Sequence, residues 1–462
     1  MPESEILLTR LQRLNQRDQR KGDFVLYWMQ QAQRADYNDA LEFAIQLANS
    51  LNQPLLAVFG LMDDYPEANE RHYAFMLEGL HETQSTLRER GIQLVVQLGS
   101  PPHVALALGE QATTIICDRG YLRHQQQWRE TLAKRATCAV IQVETDVIVP
   151  VETASDKQEI AARTIRPKIQ KRIENYLQRP VARRAKKDSL GLRFNSYTGF
   201  GNRDRIFDLA SALAQLKIDR SVAHSHYFKG GTSEARTLLH TFLCEKFDRY
   251  ADKRNDPAVD VGSHMSPYLH FGQISSLEIA LAVQQHRGAD TARAAYLEEM
   301  IVRRELSMNF VHFQPDYDNF ACLPTWAKAT LHEHRHDRRE HEYDLAQLGG
   351  ANTHDRYWNG AMREMKITGY MHNYMRMYWG KKILEWSTTP EQAFDNALSL
   401  NNKYFLDGRD ANSYANVAWL FGLHDRPFPE RPIYGKVRSM TAGGLERKFD
   451  IEAYVQRIAA LN

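Results

Sequence analysis

The chain has 462 residues, 43% of them hydrophobic, which is too long for one ordinary core and apolar enough to be globular, so two domains are expected. Its 59 Lys and Arg against 57 Asp and Glu leave a net charge of only +2, so affinity for a nucleic acid would have to come from clustered charge and not from the total. Four widely spaced cysteines without a Cys-x-x-Cys pattern argue against a disulfide scaffold or a zinc site, and no apolar run reaches membrane-spanning length.

Met1 to Gly22 is polar and charged, unlike a signal segment, and a soluble chain in the cytoplasm, associated with the nucleoid if the source is prokaryotic, is the expectation. From Lys21 short apolar runs alternate with helical patterns. Phe24 to Met29, Pro54 to Leu61, Ile92 to Leu98, Thr114 to Cys117 and Cys138 to Val143 read as buried strands. Asp39 to Leu51, Tyr73 to Arg90, Val104 to Gln111 and Gln125 to Arg135 read as the helices between them. This predicts a parallel, Rossmann-like α/β domain over residues 21–150. No G-x-G-x-x-G follows the first strand, so a dinucleotide-binding role there has little support.

A polar connection is expected over residues 151–230. It carries Arg163, Arg166, Lys168, Lys171, Arg172, Arg179, Arg183, Arg184, Lys186 and Lys187, a run that can track DNA phosphates and is equally the pattern of a solvated helix face or linker. Beyond Thr232 strand patterns become rare, which predicts a larger, all-α domain over residues 231–462. Within it His332, His334 and His336 alternate with Glu333 and Arg335. Histidines at every second position do not share a helix face and the neighbouring arginines repel a cation, so this run is read as exposed and not as a metal site.

The most informative stretch is Thr353 to Trp386. Gly369 breaks its first segment, and Tyr370 to Trp386 are good helix formers that end at Ser387-Thr388-Thr389-Pro390, where Thr389 can cap a second helix, Pro390 suits its first turn and Gln392 can complete a capping box. Trp379 and Trp386, seven residues apart, lie on nearly one face about 10 Å apart along the axis, able to pass electrons stepwise or simply to form a core stripe.

Thr368 to Asn373 with Arg376-Met377 resembles the flavin-cradling signature of the photolyase and cryptochrome superfamily. Met377-Tyr378-Trp379, Lys381 to Trp386, Leu400-Asn401, Asp407-Gly408-Arg409-Asp410, Arg254-Asn255-Asp256-Pro257 and Ser266 to Ser275 resemble, more narrowly, class II cyclobutane pyrimidine dimer (CPD) photolyases. The resemblance runs from about Tyr27 to Tyr454 and implies a monomeric flavoenzyme, a light-driven carbon–carbon lyase that uses fully reduced FAD to split CPDs in UV-damaged DNA without a metal. It further implies that Ser263, Met265 and Ser266 hold the FAD phosphates with Tyr250 beside them, that Arg376 pairs with Asp407 next to the isoalloxazine, that Asn401 faces flavin N5, and that Arg409 belongs to the same motif.

On the DNA side the resemblance assigns Glu299 to the pocket that receives the flipped dimer, Trp419 and Met377 to its walls, and Arg254 to the space the dimer leaves. The bland reading of Glu299 is a helix-face carboxylate paired with Arg303 four residues on. Arg303 replaces a tryptophan of some relatives, where it can stack or meet a phosphate. The loop after Trp419 is one residue shorter than the class pattern. Electrons are expected to enter flavin through Trp379, with Trp358 next and Trp386 outermost. Some members carry a second, antenna chromophore of deazaflavin or folate type near the strand ends of the α/β domain, and here that domain is either such a site or only a scaffold. The alternatives in function are a cryptochrome-like blue-light photosensor and a (6-4) photoproduct photolyase.

Overall fold

The computed structural model describes residues 8–193 and 207–461. The first seven residues of the polar N-terminal segment and residues 194–206 of the expected connection lie outside the described residues.

Five of the six strands are those expected: β2 (Phe24–Trp28), β3 (Leu55–Leu61), β4 (Gln93–Leu98), β5 (Ala112–Asp118) and β6 (Ala139–Val143). β2, β3 and β5 are buried along their whole length, which is why they read as continuous apolar runs without alternation. The sixth, β1 (Leu11–Arg13), lies antiparallel to β6 at the edge, and its short polar sequence carries no strand signal. The sheet order is β1-β6-β5-β2-β3-β4, parallel apart from β1, so the chain reverses direction of winding between β2 and β5. Helices α1 (Asp39–Ser50), α2 (Glu70–Glu89), α3 (Pro101–Gly109) and α4 (Arg123–Arg135) make the crossovers. The last three begin two or three residues before the expected points, because first turns are polar and carry no apolar periodicity.

The missing glycine motif has a structural counterpart. In the turn after β2 the backbone N–H groups of Gln30, Gln31 and Ala32 donate at 2.8, 2.5 and 2.7 Å to the carboxyl of Asp118, fully buried at the end of β5. Converging amides of this kind are where a dinucleotide fold binds phosphate. Here the chain fills the position with its own carboxylate.

Beyond the sheet the regular elements of the described chain are helices, joined by irregular segments. The helices that matter below are α5 (Ser266–His270), α6 (Arg304–Phe313), α7 (Arg356–Thr368), α8 (Asn373–Trp386), α9 (Pro390–Tyr404), α10 (Ala411–Leu420) and α11 (Ile451–Ala459). Buried cations tie the two halves together through carbonyls at helix ends, which the helix dipole favours. Arg71 on α2 donates to the carbonyls of Met365 at 3.1 Å, Tyr404 at 2.8 Å and Lys366. Its neighbour His72 accepts from the Asn69 N–H through Nδ1 and so donates through Nε2 to the Phe405 carbonyl at 3.0 Å. Burial keeps this imidazole neutral, its pKa well below the usual value. Arg34, buried, joins the Gly272 and Thr145 carbonyls, and Arg304 joins Asp146. Between the halves, beyond the ends of β2, β3 and β5, lies a crevice of about 910 Å³, open space at its mouth included. Among the described residues no helix is long and apolar enough to cross a membrane.

Candidate functional site

Gly369 ends α7 in a left-handed conformation, φ +81°, which a residue with a Cβ adopts only at a cost and which Leu406 would also block, its Cγ lying 2.8 Å from such a Cβ. The chain therefore turns sharply. His372 caps α8 by accepting from the Tyr374 N–H, so this helix begins at Asn373 and not at Tyr370 as the run of helix formers suggests. Thr389 does cap α9, accepting from the Gln392 N–H at 3.2 Å, with Pro390 in the first turn.

This turn aims Arg376 at Asp407. The pair is bidentate, 3.0 Å at both contacts, and largely shielded from water. The guanidinium also lies 3.9 Å from the centroid of the Phe405 ring. A shielded, bidentate pair of this kind satisfies both charges and fixes the orientation of both side chains. Asn401, in the last turn of α9, donates through Nδ2 to Asn402 Oδ1 at 3.0 Å and to Ser413 Oγ at 2.5 Å, while its Oδ1 takes no hydrogen bond from any described residue. Arg409 does not join the Arg376 pair. It is buried with φ +61°, donates to the Asn402 carbonyl at 2.9 Å and lines the interdomain crevice together with Asp410.

Ser263, Met265 and Ser266 lie in the turn that opens α5, where His264 has φ +56°. Met265 is packed in the core, so its backbone amide is what it can offer a ligand. Ser263 Oγ and the Tyr296 hydroxyl are 2.9 Å apart, Tyr296 meets Tyr250 edge to face at 5.3 Å, and Arg254 lies 5.8 Å over the Tyr250 ring. Arg254 then donates to Glu299 at 2.8 Å. One continuous row of side chains thus joins the expected cofactor residues to two of the expected DNA residues.

Glu299 sits in a π-helical turn, Glu298–Arg303, set between two α-helical segments. In that turn residues five apart share a face. Arg303 accordingly pairs with Glu298 at 3.4 Å and not with Glu299, which corrects the four-residue pairing expected of an ordinary helix, and Glu299 is turned toward Arg254. Glu298 also takes a bidentate contact from Arg166 of the basic connection, at 2.7 and 3.0 Å, an ion-pair use for one member of that run. Arg303 lies 5.4 Å over the ring of Trp419, so it stacks there. Met377 is half-buried one residue beyond Arg376 on α8.

The short loop after Trp419 is pinned. Lys381, fully buried, donates to the Leu420 carbonyl, His424 Nδ1 donates to the Ile160 carbonyl at 3.0 Å, and Gly380 lets Leu420 approach so closely that a Cβ would lie 2.1 Å from its Cδ1. Burial lowers the Lys381 pKa to about 7.

Trp358, Trp379 and Trp386 are all buried. Trp358 Nε1 donates to the Trp379 carbonyl at 2.9 Å, and its ring meets that of Trp386 at 5.6 Å. Trp379 Nε1 is buried without a partner among the described residues. Sequence reasoning missed Tyr296, Phe405, Asn402 and Ser413, which orient the expected residues. Phe405 alone had a signal, as the aromatic residue just ahead of the Asp407 motif. His334, in the histidine run, bridges Asp337 at 2.6 Å and Glu430 at 3.0 Å.

A family model described as DNA photolyase matches residues 25–185. The chain is 50% identical over 442 residues to a deoxyribodipyrimidine photo-lyase of Methanothermobacter thermautotrophicus, with 96% of each chain covered. The chain belongs to the DNA photolyase family. A deoxyribodipyrimidine photo-lyase of Potorous tridactylus is 37% identical, covering 94% of this chain and 81% of the relative. Among solved structures, the photolyase fold recurs in a class III photolyase from Agrobacterium tumefaciens (TM-score 0.72, 18% identity, 95% of this chain and 87% of that one). It recurs again in an archaeal photolyase from Sulfolobus tokodaii described with two FAD molecules, with the implication of a novel light-harvesting cofactor (TM-score 0.67, 18% identity, 94% and 89%). At these identities the structural likeness bears on the fold alone.

Proposed function

We propose that this photolyase binds FAD without a covalent link and uses light to split CPDs in DNA, as the class II resemblance implies. Family membership makes it an enzyme of light-dependent DNA repair. The finer assignment rests on one observation, the π-helical turn that puts Glu299 on Arg254 and Arg303 on Trp419 beside the Ser263–Tyr250 row.

The residues fit the cofactor. Asn401 Oδ1 and the buried Trp379 Nε1 make no hydrogen bond to any described residue, and Trp379 and Arg376 share the Phe405 ring as a neighbour, at 6.2 and 3.9 Å, which suits a polar ring system bound there. Reduced FAD, when bound, supplies light-driven donation of one electron and its recovery after the dimer ring has opened. Arg376 and Asp407 would flank the isoalloxazine, Asn401 would present its amide to N5, and the hydroxyls of Ser263 and Ser266 with the Met265 amide would hold the phosphates.

A flipped dimer needs an apolar wall, a cation on its kinked backbone and a polar group facing its carbonyls. Trp419 and Met377 serve as the wall, Arg303 as the cation, Arg254 as the side chain that enters the space the dimer leaves, and Glu299 as the polar group that faces its carbonyls. Trp379, Trp358 and Trp386, in this order, would refill oxidised flavin from outside. The interdomain crevice, walled by Phe59, Tyr65, Tyr73, Tyr121 and Trp128 at the strand ends, suits a second chromophore of deazaflavin or folate type. The deciding experiment reduces the purified protein and compares blue light with darkness on oligonucleotides carrying a defined CPD or a (6-4) photoproduct. Light-dependent loss of the CPD alone is expected, and repair of neither lesion would overturn the reading.

A further inference from the structure

Trp386, the outermost of the three tryptophans, is 2% exposed, so a reductant in solution meets its neighbours before it meets the indole. Two rings cover it. Tyr343 stands edge to face at 5.4 Å and His354 at 5.3 Å. The Tyr343 N–H donates to the Trp386 carbonyl at 3.3 Å, which fixes this residue to the end of α8. The phenolic oxygen accepts from the His354 backbone N–H at 3.0 Å and lies 2.7 Å from His354 Nδ1, the acceptor for its O–H in the tautomer protonated at Nε2. His341 stacks on His354 at 3.7 Å between centroids, and both imidazoles are exposed while Tyr343 is half-buried. A redox-active phenol with a hydrogen-bonded base, in contact with a buried indole on one side and with solvent on the other, has the parts of a proton-coupled electron relay.

We propose that Tyr343, with His354 as its proton acceptor, is the outer terminus of the tryptophan path; the inference rests on the path proposed above. When Trp386 has lost one electron to the path, Tyr343 donates one electron to it. The Tyr343 O–H bond breaks, the proton moves to His354 Nδ1, and the products are an intact indole, a neutral tyrosyl radical and an imidazolium. An external thiol then returns one hydrogen atom to the tyrosyl oxygen, leaving a thiyl radical, and His354 releases its proton to solvent. Separating the proton from the radical slows the return of the electron.

The base is in the right state for this. Burial first, and then the neighbouring His341, lower the His354 pKa, with Lys382 acting in the same direction and Asp355 and Glu385 opposing. A neutral imidazole accepts the phenolic proton and an imidazolium does not, so the relay operates above the lowered pKa of His354 and fails as pH falls through it.

The test follows radicals by time-resolved absorption and electron paramagnetic resonance after a light flash on the FAD-loaded, oxidised protein, in the parent and in Tyr343→Phe, His354→Gln and Trp379→Phe. The parent should show a tryptophanyl signal replaced by a tyrosyl signal. Tyr343→Phe should stop at the tryptophanyl signal, with a several-fold loss of long-lived charge separation. His354→Gln should lower the tyrosyl yield and abolish its dependence on pH. Loss of all radicals in Trp379→Phe together with identical traces for the parent and Tyr343→Phe would overturn the terminus alone. Radicals that persist in Trp379→Phe would overturn the path and the proposal with it.

Discussion

Replacing Trp379 by phenylalanine separates the refilling of the flavin from the repair itself, and the structure says what the replacement costs. Trp379 Nε1 has no partner among the described residues, so no hydrogen bond to the described protein is lost. The bond from Trp358 goes to the Trp379 backbone carbonyl and survives the change. What remains is the packing of the missing part of the ring system against Phe405 and its neighbours. Truncation of a buried tryptophan to alanine costs about 3–5 kcal/mol, and a change that keeps a six-membered ring in place should cost about 1–2 kcal/mol. A typical domain with about 5–15 kcal/mol of stability tolerates that. The variant should purify folded with FAD, photoreduction of the oxidised cofactor under blue light with thiol should nearly stop, and CPD splitting by chemically reduced enzyme should persist. The two assays are absorbance of the flavin during illumination and loss of dimer from a defined oligonucleotide. Unchanged photoreduction in the folded variant would refute the electron path, and lost repair in the prereduced variant would place Trp379 in the repair step itself.

Glu299→Ala should lower light-driven splitting by about 10-fold or more while binding of undamaged DNA changes far less, because only a flipped dimer meets the carboxyl; equal losses in both assays would move the pocket elsewhere. Since the Arg254–Glu299 pair is about one third exposed on each side, its loss should cost the fold under about 1 kcal/mol. Asn401→Ala removes the contacts to Asn402 and Ser413, about 1–3 kcal/mol of stability, yet should retain FAD and speed the reoxidation of its reduced form in air; a parental reoxidation rate would reject the N5 assignment. Glu305 on α6, buried, accepts from the backbone of Ile148 and Val149, and burial raises its pKa from 4.5 to about 7. The unfolded chain gives up this proton near its ordinary pKa and the folded chain holds it to about 7, so the contribution to stability is whole below 4.5 and is lost as pH rises to 7. Glu305→Gln, which cannot titrate, should match the parent in acid and exceed it at pH 8 by up to about 3 kcal/mol in chemical denaturation; equal curves at both pH values would show that Glu305 does not titrate in this range.

The parallel sheet, the helices of its crossovers, the turn at Gly369, the cap at Thr389 and the motif residues Arg376, Asn401 and Asp407 were legible in the chain itself. Each is a local matter: a run of apolar residues buried on both faces, a glycine, a hydroxyl ahead of a proline, a string of words shared with a family. The edge strand β1 was not, since three residues, one half-buried and two exposed, have no pattern to show. Nor was the π-helical turn at Glu298–Arg303, because residue types do not distinguish a five-residue hydrogen-bond repeat from a four-residue one, and it is this repeat that turns Glu299 toward Arg254 and Glu298 toward Arg166. Tertiary structure alone decided that Arg409 faces the crevice while Asp407, two residues before it, faces Arg376, for the left-handed backbone at Arg409 turns the chain over. It alone decided that Trp358, from another helix, joins Trp379 to Trp386, and that Tyr343 and His354 close over the end of the row. Contacts between residues far apart in sequence follow from how helix faces pack, and a single chain records those faces only as apolar stripes without saying which stripe meets which.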